Sequence, residues 1–320
     1  MNVLEAMSLA LAELLRDDPR RVLLGEDVTT GGMLGWSRTC ASNDALRTRL
    51  IALPLLPASM AAHAGGLALA GLRPIVLLPS AAALLEGLAG LREIGLVGVR
   101  SGGERTAPVL FVAPCGPGLG LGDDASFAPE VVLARTPGIR VFVVGRAGDA
   151  VRRLVEAAAF GEAEEPTVLL IPRLLLGSSV DADAAAPSTE VLAPTGRLRS
   201  GRTLVVFTWG EALGAVLEVC DDTELDATVI EVARLCPLDR DAIVEAARDT
   251  GRVAIVHAGG RAHGLGAEIS ALVAEHAIHY LDAPVLRVCG DDGPHAGADE
   301  LRSLPARQRL AEALRELATP

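Results

Sequence analysis

The chain contains no lysine; all 29 of its basic residues are arginine. That absence excludes a Schiff-base lysine and a Walker-type phosphate loop, since both need an ε-amino group. Positive charge as a whole is also short. Asp and Glu number 41, the formal charge is -12 over 320 residues, and nucleic acid or an anionic membrane surface would be repelled rather than neutralised. Small molecules and proteins remain as partners. Aromatic residues make up 2% and asparagine occurs twice, at Asn2 and Asn43. Cysteine is sparse and odd in number: Cys40, Cys115, Cys220, Cys236 and Cys289 lie far apart, with no C-x-x-C pair. This reads as buried thiols in a reducing compartment, not as a disulfide frame or a zinc site, and no metal ligands are expected.

The opening M-N-V-L-E-A-M carries an acid where a secretory leader would be basic and runs into a helical pattern. A cytoplasmic protein is expected. Residues 50–72 lack Asp, Glu, Lys and Arg for long enough to mimic a membrane span. Pro54, Pro57, Ser59, His63 and the pair Gly65 and Gly66 interrupt the stretch, which favours a buried helix packed closely on its neighbours.

Half of the chain is apolar, and at about 100–200 residues per domain its length suits two cores. Apolar runs predict strands over 21–24, 75–78, 109–113, 140–144 and 167–171, with helices over 3–15, 58–70, 81–97 and 147–160. A second set follows, with strands over 203–208, 227–232, 252–257 and 284–288 and helices over 211–219, 239–248, 266–277 and 305–317. Continuous apolar strands alternating with helices mean parallel sheets covered on both faces. The fold class is therefore α/β with two parallel-sheet domains, 1–175 and 202–320. Residues 176–201, which include S-S-V-D-A-D-A-A-A-P-S-T and lack a strong period, are read as the linker.

Several motifs fall in a recognisable order. They are R-V-L-L-G-E-D-V (21–28) followed by Gly31 and Gly32, L-P-L-L-P-A-S-M-A-A-H-A-G-G-L-A-L-A-G-L-R-P (53–74), S-G-G (101–103) and T-P-G-I-R-V (136–141). L-C-P-L-D (235–239), T-G-R-V-A-I-V-H (250–257), G-L-G-A-E-I (264–269) and L-D-A-P-V-L-R-V (281–288) complete the series. With these motifs the chain resembles the β subunit of the thiamin-diphosphate-dependent E1 component of 2-oxoacid dehydrogenases, of the pyruvate and branched-chain type. The resemblance implies a transketolase-like pyrimidine-binding domain followed by a transketolase C-terminal domain. It also implies an α₂β₂ heterotetramer with an E1-α-like subunit, a small-molecule substrate and an acyltransferase E2 as a further partner. In the family, diphosphate and Mg²⁺ are held by a G-D-G…N-N motif on the α subunit. This chain has no such motif, G-D-D-G (290–293) being a loop lookalike, so a partner must anchor the cofactor.

The chain departs from the family where the chemistry lies. The family's I-S-E glutamate, which protonates N1' of the cofactor's aminopyrimidine, aligns with Pro57. A proline cannot hold that proton. The aromatic segment that packs on the pyrimidine is here L-L-P-S-A-A-A (77–83), placing Leu78 and Ser80 at the cofactor. The histidine of the family's Q-H-S-Q element aligns with Ala125, in a loop that keeps Asp123, Asp124 and Ser126. Glu26 of G-E-D-V either faces the cofactor or belongs to a strand-end turn capped by Asp27. His63 lies about a turn and a half beyond Pro57 on the same predicted helix and is expected to point elsewhere. Asp123 and Asp124 either contact a changed ligand or form a solvated turn, and His257 either serves a crevice at a strand end or simply packs. Three functions stay open: a diverged β subunit completing an α subunit's site, a non-catalytic paralogue, and a pocket turned to another small ligand.

Overall fold

The computed structural model describes residues 1–122, 129–159, 164–181 and 195–319. Twelve strands form two sheets among them. β1 (Arg21–Gly25), β2 (Leu50–Ala52), β3 (Arg73–Leu77), β4 (Leu110–Cys115), β5 (Arg140–Val143) and β6 (Thr167–Pro172) belong to the first sheet. β7 (Thr195–Arg199), β8 (Leu204–Thr208), β9 (Ala227–Val232), β11 (Val253–His257) and β12 (Leu286–Cys289) form the second, while β10 (Arg234–Cys236) returns to the first. The orders are β10-β5-β6-β4-β3-β1-β2 and β12-β11-β8-β9-β7. Pairing is parallel throughout except at one edge of each sheet, where β10 runs antiparallel to β5 and β7 antiparallel to β9.

Eight helices of nine residues or more cover these sheets: α1 (Val3–Asp17), α2 (Pro57–Leu69), α3 (Leu88–Arg100), α4 (Ala150–Ala158), α5 (Ala212–Asp222), α6 (Arg240–Thr250), α7 (Leu265–Ala277) and α8 (Arg307–Ala318). Successive strand residues alternate between two cores, as a pleated strand requires. Leu23, Ile75 and Leu77 join α1 and α4, whereas Val22, Leu24 and Val76 join α2 and α3. The second core continues without a break into Val205, Phe207, Ile255 and Ile269 of the other sheet. The two domains thus share apolar packing, and β10 stitches them further by its ladder to β5.

Three predicted elements differ from the structure. The helix expected over 81–97 is split at Gly87 into Ala82–Glu86 and α3. A side chain at Gly87 would press on the Pro57 carbonyl, its Cβ 3.1 Å from that oxygen. The helix expected over 147–160 opens as a 3₁₀ turn, Ala147–Asp149, before α4, and residue 160 lies outside the described residues. Within the stretch read as linker, Thr195–Arg199 is an edge strand of the second sheet. It is polar and only half-buried, so it carries no apolar run to be recognised by.

The Ala- and Gly-rich helices α2 and α3 approach their neighbours closely. A Cβ at Gly90 of α3 would stand 2.7 Å from that of Ala61 in α2, and one at Gly95 would stand 2.2 Å from the Pro137 carbonyl oxygen. The outer face of α2, with Ala58, Ala62, His63 and Leu69, remains exposed. Among the described residues, no helix is long and apolar enough to cross a membrane.

Candidate functional site

Of the residues singled out in the sequence, Glu26, Leu78, Pro57 and Ser80 come from loops and a helix start that follow β1, β2 and β3. Glu26 directly follows β1 and shares a small cavity with Leu78, Trp36, Val28, Leu77 and Pro79. The space is about 20 Å³, room for roughly one water. Asp27 does not cap the following turn with its side chain. Its backbone sits in the left-handed region at φ 53, and its carbonyl accepts the Thr30 and Gly32 N–H groups at 2.9 and 2.8 Å. The turn is closed by main chain, leaving the Glu26 carboxylate half-buried at the sheet edge.

Pro57 is buried in the first turn of α2. Proline suits that place because its missing N–H is one that the helix leaves unpaired anyway. Its side chain offers neither proton nor acceptor. Leu78 is buried, donating its N–H to the Val112 carbonyl at 3.0 Å, and Ser80 is half-buried, its carbonyl accepting the Ala83 N–H at 3.2 Å. His63 is exposed on α2, whereas Pro57 is buried. Asp123, Asp124 and Ala125 lie outside the described residues.

His257 stands elsewhere, at the end of β11, 3% exposed, on the floor of a cleft of about 370 Å³ between the domains. Its ring stacks on Trp209, and its Nδ1 donates to the Ala258 carbonyl at 2.6 Å. That leaves Nε2 to accept from the Cys289 thiol at 3.2 Å. Burial lowers the pKa of His257, so the ring is held neutral. Burial also raises the Cys289 thiol, which makes this cysteine an inert donor rather than a nucleophile. His257 therefore both packs and lines the crevice.

Sequence reading missed the acids around this cleft. Glu130, 7% exposed, lines it from the first domain. Its carboxyl is pushed up to about 7 by burial and by the neighbouring Glu211. Burial raises Glu211 too, although Arg173 opposes the shift. The Trp209 indole N–H lies near enough to Glu130 to favour its ionised form, yet closes no hydrogen bond of ordinary geometry. Arg173 donates from Nη1 to the Gly116 carbonyl at 2.8 Å. Glu300, from the 3₁₀ turn Gly297–Ser303, accepts the N–H groups of Gly118 and Gly120 at 2.7 Å each. The glycine-rich loop after β4 is thereby clamped to the other domain.

Within G-D-D-G, Asp291 pairs with Arg302 at 2.8 Å and Asp292 accepts the Ala262 N–H at 2.9 Å. Both carboxylates are used internally. Among the described residues no group of His, Cys, Asp or Glu is arranged to hold a metal. For a thiamin-type pyrimidine, the sheet edge beside Pro57 offers one carboxylate, Glu26, and aliphatic contacts from Leu78. These residues could line such a ring, but the side chain of Pro57 has no proton to exchange with it.

Comparison with known proteins adds to this geometry. Residues 1–178 match the transketolase pyrimidine-binding domain and residues 195–305 the transketolase C-terminal domain. The chain is similar to the 2-oxoisovalerate dehydrogenase subunit beta of Pseudomonas aeruginosa, 29% identical with 99% of this chain and 95% of that protein covered. It is 30% identical to the 3-methyl-2-oxobutanoate dehydrogenase subunit beta of Mycobacterium tuberculosis, covering 98% and 90%. Its fold matches a split-gene transketolase described as an inactive β4 tetramer, with a TM-score of 0.78, 19% identity, and 99% and 98% of the two chains covered.

Proposed function

We propose, on the premise that this chain belongs to the family of 2-oxoacid dehydrogenase E1 β subunits, that it is the β-type half of a two-component assembly whose cofactor site lacks the usual proton relay. Thiamin diphosphate, held at this site, would supply the nucleophilic chemistry toward a 2-oxo acid. In this reading an E1-α-like partner in an α₂β₂ heterotetramer holds the diphosphate and Mg²⁺, because G-D-G…N-N is missing here. This chain closes the site with Glu26, Leu78 and Ser80. A small 2-oxo acid is the substrate class, and an acyltransferase E2 is the acceptor of the product.

The observation that carries the divergence is Pro57. It is locked in the first turn of α2, with its carbonyl against Gly87, so the position cannot swing aside for another group. Loss of an acid–base group of this kind costs about 10²–10⁴ in rate. Catalysis then depends on an acid from the partner. A split-gene transketolase of this fold is described as an inactive β4 tetramer, which makes a self-assembled, non-catalytic form the second reading.

Calorimetric titration of thiamin diphosphate with Mg²⁺ into the chain, alone and co-purified with the α-type partner, tests the proposal. Saturable binding only in the complex is expected. Absence of binding in both, with a homotetramer by native mass measurement, would replace it with the second reading.

A further inference from the structure

The loop that follows β4 is fastened across the domain boundary. Arg173, just after β6 and 6% exposed, donates from Nη1 to the Gly116 carbonyl at 2.8 Å. Glu300, 4% exposed and from the second domain, accepts the Gly118 and Gly120 N–H groups. Glu211, next to α5 in that domain, presses on Gly116 so closely that a Cβ there would overlap its Oε1. Gly116 and Pro117 in turn form part of the wall of the interdomain cleft.

The same seat gathers carboxylates from both sides. Glu130, 7% exposed, opens the short helix Glu130–Ala134 of the first domain, and the Glu211 Oε1, from the second domain, is likewise closed to solvent. The charge of Glu211 bears on Glu130, and the guanidinium that offsets Glu211 is Arg173, already engaged at Gly116. Among the described residues no cation offsets Glu130 itself. Two buried carboxylates facing one guanidinium cannot both ionise without a penalty. Cys115 ends β4 beside both acids, its thiol pushed well above the usual range by burial and by their charge, and stays neutral. On the cleft side Glu130 meets the Trp209 indole N–H, and the walls carry His257, His263, His295 and Asp291. His257 is held neutral by burial, and Asp291 is paired with Arg302.

Burial and Glu211 hold the Glu130 carboxyl up to about 7, against an ordinary 4.5, so the folded interface keeps a proton that the unfolded chain releases. The seat is complete below neutrality and weakens as pH rises through about 7, where a second negative charge enters beside Glu211. Loosening stays local, because the two sheets remain joined by the apolar packing of Val205, Phe207 and Ile255 and by the ladder of β10 to β5.

We propose that Glu130 and Glu211 act as a proton-operated latch between the domains. With one proton on the pair, residues 116–122 stay seated on Arg173 and Glu300; with that proton lost, the loop lifts from its seat and the wall of the cleft opens.

Amide hydrogen exchange of the full chain at pH 6 and pH 8.5, corrected for the intrinsic pH dependence of exchange, tests the latch. Protection of residues 116–122 is expected to fall at least about tenfold at pH 8.5 in the wild type, while β4 and β6 keep theirs. Glu130→Gln keeps the shape without the charge and is expected to hold the loop protected at both values. Glu211→Gln removes the opposing charge and is expected to do the same, so a folding defect in one variant leaves the other to decide. Trp209 emission reports the proton directly: a transition near pH 7 is expected in the wild type and not in Glu130→Gln. Loop protection independent of pH in the wild type, an equal alkaline loss in both variants, or a Trp209 transition that survives Glu130→Gln would overturn the proposal. The latch rests on this chain alone, so its failure leaves the β-subunit reading untouched.

Discussion

The imidazole of His257 lies flat on the indole of Trp209, with ring centroids 4.8 Å apart and planes 9° from parallel. The stack seals one face of the histidine, while Ala258 and Cys289 take both nitrogens. A proton would therefore enter a site with no place for it.

That arrangement has a pH consequence. The folded pKa of His257 is depressed by burial, so between that value and the unfolded value of about 6.5 the unfolded chain binds more protons. Its contribution to stability is present above about pH 6.5 and is lost as pH falls below it. His257→Phe keeps the stack but cannot titrate. Denaturant unfolding at pH 5 and pH 7 is expected to give a smaller acid loss in this variant than in the wild type.

Glu130 works in the opposite sense. Its folded pKa is raised from 4.5 to about 7, so the folded chain holds the extra proton. Stability is greatest below the unfolded value and falls as pH rises through about 7. At about 1.4 kcal/mol per tenfold change in proton affinity, the loss is on the order of 3 kcal/mol. Glu130→Gln removes the ionisation, and unfolding measurements are expected to find it about 1–3 kcal/mol more stable than wild type at pH 8. No gain is expected at pH 4.

Two glycines in neighbouring helices should respond oppositely to alanine. At Gly95 a Cβ would meet the Pro137 carbonyl oxygen at 2.2 Å, and backbone cannot move aside cheaply. Gly95→Ala is expected to cost about 1–3 kcal/mol or more. At Gly66 nothing lies within 4 Å, and Gly66→Ala is expected to stabilise by about 0.5–1 kcal/mol through helix propensity. Thermal melts of the two variants check the contrast.

Glu300 holds the glycine-rich loop by two charge-assisted bonds, and each such bond contributes about 1.5–3 kcal/mol. Glu300→Ala should free the N–H groups of Gly118 and Gly120 and loosen residues 116–122. Limited proteolysis is expected to cut this loop faster in the variant while the remainder of the chain stays resistant. Equal cleavage rates would show that the clamp is dispensable.

The sequence exposes most strands because parallel strands buried on both faces are apolar along nearly their whole length, as in Leu204–Thr208 and Val253–His257, which turn polar only at their last residue. β2, β7 and β10 stay hidden for the converse reason. β2 and β10 are three residues long, and β2, β7 and β10 all lie at sheet edges. The helix break at Gly87 leaves no local mark either, since the apolar pattern runs through it and only the distant Pro57 carbonyl forbids a side chain. The site divides the same way. Glu26 and Leu78, singled out by their motifs, line one cavity. Glu130 was not singled out, because in sequence it is an ordinary acid opening a helix. Its burial exists only once Trp209 and Glu211 arrive from the other domain.

The central claim, that Pro57 leaves the cofactor without its proton relay, is tested most directly by hydrogen–deuterium exchange at C2 of thiamin diphosphate bound to the complex. Pro57→Glu is the comparison, since an acid in the first turn of α2 also suits the helix dipole. Slow exchange in the wild type, accelerated by about 10² or more in the variant, is the predicted result. Fast exchange in the wild type, unchanged by the glutamate, would contradict the account.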